Sequence, residues 1–182
     1  MSTVYLETER LRLRELTTDD VENLYQLDLD PEVTRYTHGG LPTPRRTVEE
    51  QVIPKLLAYY DAFDHYGFWA VEEKTGEETG RFIGWFHFRP FIDALDEIEL
   101  GYRFRRDAWG KGYATEGSLA LVNQGFEVLG VETVVAVAMP ENRASIRVME
   151  KIGMAFEKSY RLEDEGIDVV KYRLERGDWG YV

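Results

Sequence analysis

Apolar and polar residues alternate with period two in Arg10-Leu-Arg-Leu-Arg-Glu-Leu16, the pattern of a half-exposed strand. The period then lengthens. From Thr18 onward, Val21, Leu24 and Leu27 recur at helical spacing, with Asp19 and Asp20 in the first turn at the positive end of the helix dipole, until Pro31 ends the run. Beyond a loop at residues 37–44, Val48, Val52, Leu56 and Tyr59 line one face of a second predicted helix, from Thr47 to about Phe63, with Pro54 as its kink. Residues 67–73 and 81–89 read as antiparallel strands joined by the turn Lys74-Thr-Gly-Glu-Glu-Thr-Gly80, and their Trp69, Trp85, Phe86 and Phe88 read as sheet core.

A strand at 97–104 leads into a glycine loop, and residues 112–129 form a long helix with Leu119, Val122, Phe126 and Leu129 facing inward. The valines and alanines of 132–139 lack alternation, as in a strand buried on both faces. Pro140-Glu-Asn-Arg-Ala-Ser145 opens a helix ending at Lys151-Ile-Gly153, with Gly153 in the left-handed position past its last turn. Strands at 154–162 and 169–175 flank the acidic turn Glu163-Asp-Glu-Gly166. The elements predict an α/β (α+β) fold, a single domain over residues 1–182 with a mixed central sheet of about seven strands and about four flanking helices.

Composition narrows the chemistry. No apolar run approaches the roughly 20 residues of a membrane span, and Glu7 and Glu9 do not fit a secretory leader, so the expectation is no membrane partner and a cytoplasmic location. With no cysteine there is no thiol nucleophile and no thiolate metal site, and His38, His65 and His87 lack ligand spacing, so no metal is expected. Lys and Arg number 22 against 34 Asp and Glu, a net charge of −12, which argues against nucleic acid as a partner and suits a cationic or amine one.

Against that background, residues 103–112 reverse the sign. Arg103, Arg105, Arg106 and Lys111 face one acidic residue, Asp107, giving 4 − 1 = +3. Gly110 and Gly112 let the chain turn without Cβ atoms in the way, and the following helix offers unpaired N–H groups to an anion such as pyrophosphate. Neither common phosphate loop fits. Arg105 stands at the first glycine of a Walker A pattern and Gly112 at its Ser/Thr, while Thr115 replaces the third glycine of a dinucleotide fingerprint. A glycine turn with solvated arginines is the structural alternative.

The order of elements, with Glu99-Leu-Gly-Tyr102, Trp109-Gly-Lys-Gly-Tyr-Ala-Thr-Glu116 and Glu141-Asn-Arg-Ala-Ser145 through Glu150-Lys-Ile-Gly153, resembles the GNAT superfamily of acetyl-CoA-dependent N-acetyltransferases, and within it the RimJ/RimL branch. The resemblance runs from Leu6-Glu-Thr-Glu-Arg-Leu-Arg-Leu13 to Tyr172-Arg-Leu-Glu175. It implies acetyl-CoA as acyl donor and an amine acceptor, either a protein N-terminus or a small molecule, with direct transfer in a ternary complex. The implied cofactor-binding residues are Tyr102, Phe104, Arg105, Gly110, Lys111, Gly112, Tyr113, Ala114, Thr115 and Asn142. One position departs: Asp107 stands where the superfamily loop carries Gln or Arg, leaving open whether Arg105, Arg106 or Lys111 meets phosphate.

Amide formation from an amine and a thioester requires a deprotonated amine, oxyanion stabilisation and a proton for the leaving sulfur. Glu97 and Glu99 alternate along a strand and share a face, and the motif alignment favours Glu99 as base through a water relay. The alternative for this pair is a solvated strand edge. The resemblance also implies an oxyanion N–H around Tyr102 to Phe104 on a splayed strand, Ser145 as acid and Asn142 as pantetheine anchor. Asn142 equally fits an N-cap and Ser145 a first-turn hydroxyl. His38-Gly-Gly40 reads as a turn and stays outside the catalytic set. A non-catalytic acyl-CoA-binding sensor module and a purely structural acidic domain are the competing readings. Strand aromatics offer a homodimer surface, and dimers are common in the superfamily.

Overall fold

The computed structural model describes residues 2–37, 39–74, 80–163 and 165–180; His38 and the turn residues 75–79 lie outside them. The elements run β1 Val4–Glu7, β2 Leu11–Glu15, α1 Val21–Asp28, α2 Pro31–Thr34, α3 Arg45–Thr47, α4 Ile53–Ala62, β3 Gly67–Glu73, β4 Phe82–Phe91, β5 Ala94–Phe104, α5 Tyr113–Asn123, β6 Thr133–Ala138, α6 Arg143–Lys151, β7 Ala155–Leu162 and β8 Ile167–Glu175. The strands form one mixed sheet in the order β1-β2-β3-β4-β5-β6-β8-β7. There are eight strands rather than about seven. The additional one, β1, is short and pairs only with β2, and its Val-Tyr-Leu-Glu carries too few positions to show a period.

The chain divides into two compact units, Met1–His87 with Tyr102–Gly117, and Phe88–Gly101 with Ser118–Val182. In the first, Leu16, Val21, Leu24, Leu27, Val48, Ile53, Ala70 and Phe82 form one buried cluster. Ile53 takes the inward place expected for Val52 because Val48–Val52 is a π-helical turn, which inserts a residue and advances the apolar face by one position. Proline at the second position of α4 supplies no N–H to the preceding turn, which is the physical basis of that insertion. Pro31 opens α2 rather than only closing α1, with Asp30 as its N-cap accepting from Glu32 N–H at 3.0 Å. Asp20 is buried and does more than favour a dipole: it accepts both Arg14 guanidinium nitrogens at 2.8 and 2.9 Å and the Thr17 N–H at 2.9 Å.

The second unit contains the doubly buried β6, paired antiparallel with β8 from Thr133–Glu175 to Ala138–Val170. β7 is the exposed outer strand beyond β8. The inward face of α5 and the π-helical turn Gln124–Val128 after it is Leu121, Val122, Gly125 and Phe126, not the expected run through Leu119 and Leu129. Glycine replaces bulk on that face. A Cβ on Gly125 would stand 2.7 Å from the Phe88 ring, and in the first unit one on Gly117 would stand 2.4 Å from Phe86. Of the four aromatics assigned to the core, Trp69, Phe86 and Phe88 are buried, and Trp85 packs partly buried against the first unit's cluster. Gly153, with φ of 88°, ends α6 in the left-handed region as expected.

Candidate active site

In the first unit, β5 ends at Phe104 and the chain makes a single 3-10 turn, Arg106–Ala108, before Trp109 anchors the loop by donating its indole N–H to Phe104 C=O at 2.9 Å. Gly110 and Gly112 then adopt φ of 73° and 84°, conformations that L side chains disfavour. The first hydrogen bond of α5 runs from Glu116 N–H to Gly112 C=O at 3.0 Å, so the N–H groups of Tyr113, Ala114 and Thr115 precede its hydrogen-bonded turns and carry the positive end of its dipole. A Cβ at Gly110 would meet nothing within 4 Å, so the loop has open space in front of it. This is a backbone anion cradle.

The loop is held from the chain's beginning. Glu116 accepts from Thr8 Oγ1 at 2.5 Å, Arg10 N–H at 3.0 Å and Arg10 Nε at 2.7 Å, and Arg10 Nη1 donates to Lys111 C=O at 2.9 Å. Burial pushes the Glu116 carboxyl up, but Thr8 and Arg10 outweigh it and hold the group below the ordinary carboxylate range. Tyr113 is buried and donates its hydroxyl to Glu73, whose charge raises the phenol above its ordinary value. Nothing in the sequence pattern announced Thr8 and Arg10, in the turn between β1 and β2, or Glu73, at the end of β3, all far from the loop in the chain.

The cationic window is largely spent internally. Arg103 pairs with Asp28 at 2.6 Å and lies over the Trp85 ring, and Arg106 pairs with Asp30 at 3.1 Å. Asp107, the departure from the superfamily pattern, pairs with Arg81 at 2.8 Å and with Arg105 at 3.7 Å. Burial raises the Asp107 carboxyl, and Arg81, Arg105 and Lys111 together bring it below the ordinary range. The +3 of the window therefore overstates the charge available to a ligand. Lys111 is exposed and Arg105 is partly so, which leaves these two side chains beside the backbone N–H groups. Tyr102 and Phe104 pack their rings on Phe86, with centroids 5.7 and 5.3 Å away. Arg105, Arg106 and Asp107 also line a cleft of about 200 Å³ with Gln26, Leu27, Asp30 and Val33, below the roughly 300 Å³ at which small-molecule pockets begin.

In the second unit, the two strand glutamates sit in different surroundings, and neither is a solvated edge. Glu97 is buried, with Lys171 Nζ at 2.5 Å from one oxygen and Arg173 Nη1 at 2.7 Å from the other. Lys171 also meets Glu157 at 3.2 Å. Burial lowers the Lys171 ammonium, yet Glu97 and Glu157 prevail and raise it above its ordinary value. Glu99 meets the Arg89 guanidinium at 2.5 Å. Burial raises the Glu99 carboxyl above its ordinary range, Arg89 opposes this and Asp93 adds to it. The parallel pairing of β5 with β6 comprises Ile98 with Val134 and Glu99 with Val135, so the ladder ends at Glu99 while both strands continue.

Asn142 is the N-cap of α6, its Oδ1 accepting from Ser145 N–H at 3.2 Å. The capping role set beside the anchoring one is thus real, and Ser145 sits in the first turn. Among the described residues no group of three or more His, Cys, Asp or Glu side chains could hold a metal ion, and no helix is long and apolar enough to cross a membrane.

The model of the acetyltransferase (GNAT) domain family matches residues 10–155. The chain belongs to the GNAT acetyltransferases. FsC-acetyl coenzyme A-N(2)-transacetylase of Aspergillus fumigatus is 32% identical over 189 residues, covering 96% of this chain and 77% of its own. A GNAT-family acetyltransferase structure from Bacillus anthracis superposes with a TM-score of 0.78 at 25% identity over 97% of this chain and 99% of that one. RimL, a ribosomal L7/L12 α-N-protein acetyltransferase, shares the fold with a TM-score of 0.77 at 17% identity, covering 96% and 95% of the two chains.

For this N-acetyltransferase the family's cofactor chemistry is acetyl-CoA, and the chain's residues fit it. The left-handed Gly110 and Gly112, the open space at Gly110 and the helix N–H groups behind them are what a pyrophosphate needs. The acetyltransferase carries Tyr102, Phe104, Arg105 and Gly110 to Thr115 in its first unit, and Glu99, Asn142 and Ser145 in its second. Two features were not readable beforehand: the counter-charges Arg89, Lys171 and Arg173, and Tyr160, whose hydroxyl is buried without a hydrogen-bond partner among the described residues. Burial first, then the negative charges of Asp93, Glu99, Glu157 and Glu97, push the Tyr160 phenol up to about 12.

Proposed function

We propose that this acetyltransferase moves an acetyl group directly from acetyl-CoA to a primary amine within a ternary complex, with Glu99 as the general base. One observation carries the reading: Glu99 is a largely buried carboxyl held above the ordinary carboxylate range, which strengthens it as a proton acceptor. Acetyl-CoA, when bound, supplies an activated acyl carbon as a thioester. The N–H groups at Tyr113 to Thr115 and the Lys111 ammonium hold the pyrophosphate through charge-assisted hydrogen bonds, and Arg105 lends charge beside them. A main-chain N–H between Tyr102 and Phe104 polarises the carbonyl, Asn142 turns its amide to the pantetheine arm, and Ser145 holds the proton that the leaving sulfur takes.

The end of the β5–β6 ladder at Glu99 supports this assignment, because unpaired strand edges leave backbone groups to meet an extended arm. The N(2) in the name of the Aspergillus fumigatus relative and the α-N-protein in that of RimL both denote nitrogen acceptors, which supports an amine here. We further propose that residues 1–182 work as a single domain, in the cytoplasm, with a homodimer as the assembled form.

The test is thiol release from acetyl-CoA, read with a disulfide-exchange dye, across N-terminal peptides, amino acids, polyamines and aminoglycosides. The chain has no cysteine, so the protein adds no background. Release that depends on one acceptor class supports the reading and names the acceptor. Coenzyme A binding with no release on any acceptor removes direct amine transfer.

A further inference from the structure

Glu99 and Arg89 face one another from β5 and β4, neighbouring strands in the sheet, with Arg89 Nη2 2.5 Å from Glu99 Oε2. Both are mostly buried: side-chain exposure is 20% for Arg89 and 13% for Glu99. The arginine accepts a cost for this placement. Its Nε is buried without a hydrogen-bond partner among the described residues, and Nη1 makes only a long contact with Pro90 C=O at 3.5 Å.

Glu97, on the same strand, has Lys171 and Arg173 on its two oxygens. Glu99 meets the Arg89 guanidinium, with Asp93 on the exposed turn between β4 and β5 adding negative charge. Glu99 in turn raises the Tyr160 phenol on β7; Glu97, on its own strand, is paired with Lys171 and Arg173 of β8. Burial alone would leave the carboxyl neutral and free to swing, useless for taking a proton.

We propose that Arg89 is the positioning residue of Glu99: its guanidinium fixes the carboxylate's place on β5 and keeps it charged between turnovers, while Asp93 limits the hold so that a proton can still be taken. This rests on Glu99 being the base.

The experiment is a carbon-13 NMR titration of the ligand-free protein labelled at glutamate Cδ, with the Glu99 signal identified by its loss in Glu99→Gln. Arg89→Gln should raise the Glu99 midpoint by about 1–3 pH units, the usual effect of an adjacent opposite charge. Arg89→Lys should hold it within about half a unit of the parent, since the charge is kept. Asp93→Asn, on an exposed turn where folding is not at stake, should move the midpoint down. An unmoved midpoint in Arg89→Gln, or a shift in Arg89→Lys as large as in Arg89→Gln, overturns the proposal. If Arg89→Gln does not fold, a midpoint in Asp93→Asn that stays or rises does so. In parallel, the acid limb of kcat/KM, measured by thiol release from acetyl-CoA with the best acceptor of the panel, should follow the midpoint. Glu99→Gln with unimpaired release would sink the base assignment itself, a result separable from failure of the Arg89 assignment with Glu99→Gln inactive.

Discussion

Between residues 103 and 111 the chain gathers four cations, and between 93 and 99 it gathers four carboxylates, Asp93, Asp96, Glu97 and Glu99. The loop spends its charges on neighbours: Arg103 on Asp28 and Arg106 on Asp30, with Asp107 drawn to Arg81, so that backbone N–H groups, Lys111 and Arg105 remain to meet an anion. The strand sorts its charges instead. Glu97 is countered by Lys171 and Arg173, whereas Glu99 meets Arg89 and lies above the usual carboxylate range. What a charge can do, in both regions, depends on the partners that other elements bring to it and not on the local count of like ones.

The sharpest way to break the comparison is Glu99→Gln, expected to lower kcat by about 10²–10⁴-fold while coenzyme A binding, measured by calorimetry, stays near the parent value. Near-parental turnover would erase the difference between the two glutamates. Next comes Lys171→Met, which takes from buried Glu97 the ammonium it shares with Glu157 on the exposed outer strand and should cost about 3–5 kcal/mol in urea unfolding. Adding Glu97→Gln to that variant should recover part of the loss, because the remaining demand for a counter-charge is reduced.

A pH profile sharpens the contrast in sign. Base catalysis requires ionised Glu99, so kcat/KM should fall as pH drops through a midpoint above the ordinary carboxylate range. Lys171 behaves oppositely: its raised value means its stabilising contribution is complete below the unfolded lysine value and is lost as pH rises through the folded one. Smaller effects belong to the loop. Lys111→Ala should weaken coenzyme A binding about tenfold, the value of one exposed charge-assisted contact. Arg106→Ala, whose charge is engaged by Asp30, should change it less than about twofold. Equal losses from both would mean that the window acts as a diffuse charge after all.

Much of this was written locally. Periodicity, turn residues and, for β6, an unbroken apolar run located seven strands and four principal helices, because local burial is written in the order of the residues. Gly110, Gly112 and Gly153 were legible for the same reason: each position demands a left-handed backbone. The misreadings lie where tertiary packing overrides a local pattern. Val122 and Phe126 face inward as expected, but Gly117 of α5 and Gly125 of the turn after it pack against Phe86 and Phe88, and Leu119 and Leu129 do not share that face. Glu97 and Glu99 look equivalent in sequence, and only β4 and β8, which deliver Arg89, Lys171 and Arg173, tell them apart. The Arg103 and Arg106 charges were visible, but Asp28 and Asp30 lie in or just after α1, too distant in sequence to be read as partners.

The clasp of Thr8 and Arg10 on Glu116 joins positions 108 and 106 residues apart. During synthesis the first half of that clasp emerges long before the second exists, and closing so large a loop is slow compared with making a helical turn. A chain without Thr8 and Arg10 would keep the glycines of the loop but lose the clasp on Glu116 and Lys111 that braces them, so the first ten residues belong to the anion cradle as much as the loop does.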